Sequence, residues 1–94
     1  MARVIDKAVD RLGARLASFD GTAKFVVLGE GTILADATGV REGEGPAEVT
    51  LTASADDFRA LLEGRLKPAT AFMTGRLKVD GPMPAAMRLG QALS

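Results

Sequence analysis

Apolar positions change period several times along this chain, and each change marks a predicted element. Val4, Ile5, Ala8, Val9, Leu12, Leu16 and Phe19 recur at helical spacing, which predicts an amphipathic helix from about residue 2 to 18, closed by Asp20-Gly21. Lys24 to Leu28 and Thr32 to Ala37 are strand-like, and Gly29-Glu30-Gly31 between them has the backbone freedom of a hairpin turn. Val40-Arg41 adds a short strand, and the polar run EGEGP after it is a loop with no apolar anchor. Glu48 to Thr52 alternates, with Val49 and Leu51 on one face. Ser54 caps a helix reaching residue 63, Asp57 sits at the reciprocal position of a capping box, and Gly64 stops it.

The segment from Pro68 to Leu89 is the densest in signals. Pro68 suits the first turn of a helix over Ala69 to Thr74, which Gly75 ends. Arg76-Leu77-Lys78-Val79 alternates as a strand buried on one face does, Asp80-Gly81 turns the chain, and Met83 to Leu93 reads as a closing helix. Phe72, Met73, Met83 and Met87 give this part an apolar surface rich in flexible thioethers, suited to irregular or adaptable ligands. The predicted architecture is α+β: a single twisted, mainly antiparallel sheet of four to five strands, with helices packed on one face. Residues 1–94 form one domain.

Ala71-Phe72-Met73-x-Gly75-x-Leu77-Lys78-Val79-x-Gly81-x-Met83-x-x-Ala86-Met87-x-Leu89 resembles the C-terminal signature of the sterol carrier protein type-2 family. Ser54-x-x-Asp57-Phe58-x-x-Leu61-Leu62-x-Gly64-x-Leu66-x-Pro68 is similar to the helix and turn preceding that signature, and Lys24 to Gly39 fits the family's opening hairpin. Pro82 and Pro84 depart from the family's pattern at the start of the last helix. The resemblance implies an apolar ligand held in an internal tunnel between sheet and helices, with the last helix in the wall. It thereby makes Phe25, Val27, Ile33, Val49, Leu51, Phe58, Leu62, Phe72, Met73, Met83 and Met87 the ligand-binding candidates. By periodicity alone all of them also fit an ordinary core.

Composition narrows the chemistry. Twelve basic residues balance twelve acidic ones, and four phenylalanines are the only aromatics, so neither a net field nor a stacking surface points to nucleic acid. With no cysteine and no histidine, disulfides, thiolate chemistry and the commonest general base are missing. No secretory signal or membrane-spanning run is visible, and a cytoplasmic domain is the default expectation. Asp56, Asp57 and Glu63 read as solvated or capping carboxylates, and Gly29-Glu30-Gly31 and Gly43-Glu44-Gly45 lack the third glycine of a dinucleotide loop.

The expected function is therefore non-catalytic: binding, transfer or presentation of a fatty acid, fatty acyl-CoA, sterol-like or isoprenoid molecule, with no cofactor and no metal. The alternative is an accessory or scaffold module docking on a lipid-modifying enzyme. Arg3, Lys7, Arg11 and Arg15 form a basic stripe on the first helix. It is either a solvated face or a transient contact with a membrane surface. Lys67, Arg76 and Lys78 could meet a polar head group at a pocket mouth. The protein is expected to be a monomer or homodimer. One constraint is energetic: an empty closed pocket of roughly 300 Å³ would cost on the order of 7 kcal/mol, a large part of the 5–15 kcal/mol or so that holds a domain together.

Overall fold

The computed structural model describes residues 4–16, 21–36 and 38–93. Its elements in chain order are α1 (Val4–Arg15), β1 (Ala23–Leu28), β2 (Gly31–Asp36), β3 (Gly39–Glu42), β4 (Val49–Ser54), α2 (Ala55–Leu62), α3 (Pro68–Met73), β5 (Lys78–Asp80) and α4 (Met83–Leu93). Phe19, Ala37 and the outer ends of the predicted first helix lie outside the described residues.

Alternation builds the sheet. Its five strands lie in the order β3-β2-β1-β4-β5. Only the β1–β4 pairing is parallel; the other three are antiparallel. The predicted α+β sheet is thus present in its five-stranded form. Register places Ile33, Phe25, Leu51 and Val79 in one row across four strands. Phe25 and Ile33 are fully buried, and Phe25 meets Phe58 of α2 edge-to-face, with ring centroids 6.1 Å apart. The first helix, α1, packs on β2 and β3, while α2 packs on β1 and β4. Loop 43–48 returns from β3 to β4 near Leu34: a Cβ on Gly45 would lie 3.0 Å from its Cδ2. The Lys24–Glu44 ion pair, 3.5 Å, ties this loop to β1, and the Glu48 N–H donates to Thr22 Oγ1 at 2.8 Å, so polar contacts help to hold it.

Two helices end alike. Gly64 and Gly75 both have positive φ, and the two residues after each donate their N–H groups back to one carbonyl, that of Ala60 in α2 and Ala71 in α3. The sequence is Gly-Arg-Leu both times, and the leucines, Leu66 and Leu77, are buried. Closing α3 in this way occupies Arg76 and Leu77, which is why β5 starts at Lys78 rather than at Arg76. Capping of α2 is as expected on one side: the Asp57 N–H donates to Ser54 Oγ at 3.1 Å. Both family-departing prolines fit. Pro82 stands just before α4 and its carbonyl accepts from Ala86 N at 3.0 Å, while Pro84 lies in the first turn, where an N–H has no helical partner.

Arg15 of α1 bridges two distant helices. Its Nη2 donates to Leu62 O at 2.6 Å and its Nη1 to Leu93 O, the last residues of α2 and α4. One guanidinium thus satisfies two orphan carbonyls at two negative helix ends. Charge-assisted bonds of this kind contribute about 1.5–3 kcal/mol each at most. Arg15→Met is expected to lower unfolding free energy by about 2–4 kcal/mol in urea titrations, with Arg15→Lys recovering part through a single bond. A methionine variant as stable as the parent would remove this clamp from the account.

Candidate functional site

The row of core side chains reaches the sheet edge at Val79, and there the helical cover changes. Past β4 the sheet is faced by the short helix α3 and by α4, which contact each other, and between them and β4–β5 lies a cleft of about 340 Å³. Its volume falls in the range of small-molecule sites, roughly 300–1,000 Å³. Leu51 and Val79 supply the strand side, Phe72 comes from α3, and Met83, Ala86 and Met87 come from α4.

The last helix is apolar on two faces. Ala85, Leu89 and Leu93 follow an i, i+4, i+8 stripe and are buried. Met83, Ala86, Met87 and Gly90 follow i, i+3, i+4, i+7 and line the cleft instead. A helix that needed only to cover a core would keep one apolar stripe and turn polar residues outward. The methionines of the second stripe are in water, Met83 and Met87 being 59 and 60% exposed, and Phe72 of α3 is 49% exposed. Because the cleft is open, the cost of an enclosed void does not arise. What remains is unshielded apolar surface, favourable to cover by about 25 cal/mol per Å².

Among the described residues, no titratable side chain lines the cleft, and Gln91 is the polar side chain in its lining. Shifted carboxylates lie elsewhere, outside the cleft lining. Asp36 is held well below the usual carboxylate range by hydrogen bonds from Arg41 (2.9 Å) and Thr38, and Glu63 is lowered mainly by its hydrogen bonds from Arg65. Both shifts favour the charged form, so any stabilisation is present at neutral pH and fades as pH falls below about 4. Among the described residues, no group of three or more His, Cys, Asp or Glu side chains gathers to hold a metal, and no helix is long and apolar enough to cross a membrane.

The sequence candidates divide by place. Leu51, Phe72, Met83 and Met87 line the cleft. Phe25, Ile33 and Val49 are sealed in the core, and Met73 projects into solvent, 83% exposed, outside the lining. Val27, Phe58 and Leu62 floor a separate groove of about 450 Å³ between α1 and α2, whose rim carries Lys7, Arg11, Arg59 and Glu63. Leu77, Val79, Ala86 and Leu93 line the cleft and are absent from the candidates. The signal for Ala86 was available, since it continues the Met83–Met87 stripe. Val79 is in the lining because β5 is the sheet edge, which periodicity does not reveal. Of the basic stripe on α1, Arg3 lies outside the described residues, Arg15 is turned into the fold, and Lys7 and Arg11 border the groove.

Residues 3–94 match the profile of the SCP-2 sterol transfer family. Hydroxysteroid dehydrogenase-like protein 2 of Xenopus laevis is 31% identical over 99 residues, spanning 97% of this chain and 23% of that protein. The bovine (Bos taurus) protein of the same name is 39% identical over 56 residues, 60% of this chain and 13% of its own length. This chain thus spans less than a quarter of either relative. In three dimensions it resembles sterol carrier protein 2 from Aedes aegypti in complex with the C16 fatty acid palmitate, with a TM-score of 0.80, 23% identity and coverage of 100% of this chain and 97% of that one. At that identity the likeness shows a shared fold.

Proposed function

The chain belongs to the SCP-2 sterol transfer family, a family of lipid-binding domains, and from that membership we propose that it takes up one alkyl-chain lipid in the cleft between α3, α4 and the β4–β5 edge. The observation that carries this reading is the second apolar stripe of α4, which faces the cleft and leaves Met83 and Met87 in water. Leu51 and Val79 form the floor for the chain, and Phe72, Met83 and Met87 close over it. Movement of α4 toward α3 turns the open cleft into a tunnel, and unbranched thioethers adapt to the chain that lies there. Palmitate in the Aedes aegypti structure makes fatty acids the first class to test; acyl-CoA, sterol-like and isoprenoid molecules share the required apolar body. With no acid, base or metal set in the lining, the cleft shields its ligand rather than reacting with it.

Apolar burial sets the expected energetics. Each buried methylene contributes about 0.8 kcal/mol, so two more carbons tighten binding about fifteenfold until the cleft is full. Because nothing in the lining titrates, affinity for an uncharged fatty alcohol should stay flat from about pH 5 to 8, the range in which histidine-bearing sites change. Native mass spectrometry of the purified protein, followed by solvent extraction, should show a lipid bound one to one, and titration with alcohols of rising length should show the increase and the plateau. A ligand-free protein that ignores alkyl chain length would end the carrier reading.

A second reading has its own support. The matching region makes up only 23% of the Xenopus laevis protein, which is named for a dehydrogenase, so a domain of this kind also occurs as one part of a longer chain. As an accessory module it would present lipid to, or dock on, an enzyme. Tight association with such an enzyme and no measurable alcohol binding would favour this reading.

A further inference from the structure

The neutral total charge of this chain conceals a division. Residues 64–94 carry five basic residues, Arg65, Lys67, Arg76, Lys78 and Arg88, against one acidic residue, Asp80. Residues 1–63 carry seven basic and eleven acidic residues. The boundary falls where α2 ends, so the positive part is the one that builds α3, β5 and α4 around the cleft. All five of its cations are exposed. Arg65 pairs with Glu63 and Arg88 with Glu48, whereas Lys67 and Arg76 have no ion-pair partner among the described residues. These two flank α3, Lys67 just before its first residue and Arg76 just after its closing glycine.

Four large apolar side chains of this part are exposed: Phe72 and Met73 on α3, Met83 and Met87 on α4. Met73 is the most exposed of these and does not line the cleft, so filling the cleft with lipid leaves it in water. Exposed apolar side chains on two helices, one of which is flanked by cations without ion-pair partners among the described residues, suit an anionic lipid surface. We propose that the α3–α4 face docks the mouth of the cleft onto anionic bilayers, with Met73 and Phe72 entering the head-group boundary. Docking in this pose lets an alkyl chain pass between bilayer and cleft without crossing water. The inference rests on the lipid-carrier reading for its purpose, but its observations, charge division and exposed side chains, are independent of any ligand. On α1 the competing basic stripe is weaker, since Arg15 is committed to helix ends and Asp6 and Asp10 lie on the same helix.

The chain has no tryptophan, so Met73→Trp places a single reporter at the proposed contact. Its emission should shift to the blue with phosphatidylcholine vesicles containing about 30% phosphatidylserine and not with phosphatidylcholine alone. Lys67→Gln/Arg76→Gln in that background should weaken vesicle binding roughly 25-fold, at a factor of about five per cation near such a surface. Lys7→Gln/Arg11→Gln should change it less than about twofold. Flotation of the tryptophan-free protein with the same vesicles repeats the comparison without the reporter. The reverse ranking of the two pairs would overturn the proposal in favour of α1. Absence of both shift and flotation would overturn it outright, and self-association in sedimentation through this face would overturn it in favour of a second copy. Fatty alcohol binding in solution separates the two readings: its loss in the parent protein sinks the carrier, while its retention in a variant that no longer docks supports the docking face.

Discussion

Met87→Glu is expected to weaken binding of an alkyl lipid at least about a hundredfold while changing unfolding free energy by no more than about 0.5 kcal/mol. Met87 is 60% exposed, so the free protein keeps a glutamate there in water at little cost, and both residues are good helix formers. Bound lipid changes that balance. The new carboxylate would have to lose its hydration against an alkyl chain in a lining that offers no cation, and desolvating an unpaired charge costs several kcal/mol. Leu89, two residues on, provides the contrast. It is fully buried on the other stripe of α4, so Leu89→Ala should destabilise the domain by about 2–5 kcal/mol. Isothermal titration with a fatty acid, beside urea unfolding of both variants, reads the two effects separately. A folded Met87→Glu protein with parental affinity would remove Met87, and with it the cleft-facing stripe, from the binding site.

Gly81→Ala is expected to cost about 3–5 kcal/mol of stability, combining backbone strain with overpacking. Gly81 links β5 to α4 and has φ of +137°, a conformation L side chains rarely adopt. A Cβ there would lie 2.6 Å from Glu48 O and 3.0 Å from Val49 Cα, both backbone atoms at the start of β4. Relief therefore requires β5 to part from β4, which also moves Val79 and the first turn of α4 away from the cleft. Lipid affinity should fall with stability. Gly75→Ala is the comparison: its φ is +78° but nothing lies within 4 Å of the added atom, so about 1–2 kcal/mol is expected. Chemical denaturation of the two variants reads the difference; equal losses would show that the approach of Gly81 to β4 is unimportant.

Local chemistry made most elements legible before any coordinates. Ser54, Gly64, Pro68 and Gly75 mark helix starts and stops because capping, positive φ and a missing N–H act within a few residues. The closing helix, Met83–Leu93, has the bounds expected from its apolar run. Alternation alone starts β5 early, at Arg76, because it does not show that Arg76 and Leu77 donate their N–H groups to Ala71. The same limit applied to Arg15. In the chain it is one of four cations at helical spacing; its partners, Leu62 and Leu93, are 47 and 78 residues away.

The candidate site was legible in kind and incompletely in membership. An α+β domain ending in a thioether-rich apolar helix, without histidine or cysteine, is readable from the amino-acid order, because periodicity, turn residues and composition are local properties. The same order carries the family resemblance that the match over residues 3–94 bears out. Only the tertiary structure decided which apolar residues are core and which are wall. Phe25, Ile33, Leu51 and Val79 share one row of the sheet, and nothing in their spacing separates them. Cover by α1 and α2 seals Ile33 and Phe25, whereas Leu51 on β4 and Val79 on the edge strand β5 lie beneath the cleft beside α3 and α4. The physical reason is that burial depends on what packs across a residue, and that is set by contacts between distant parts of the chain.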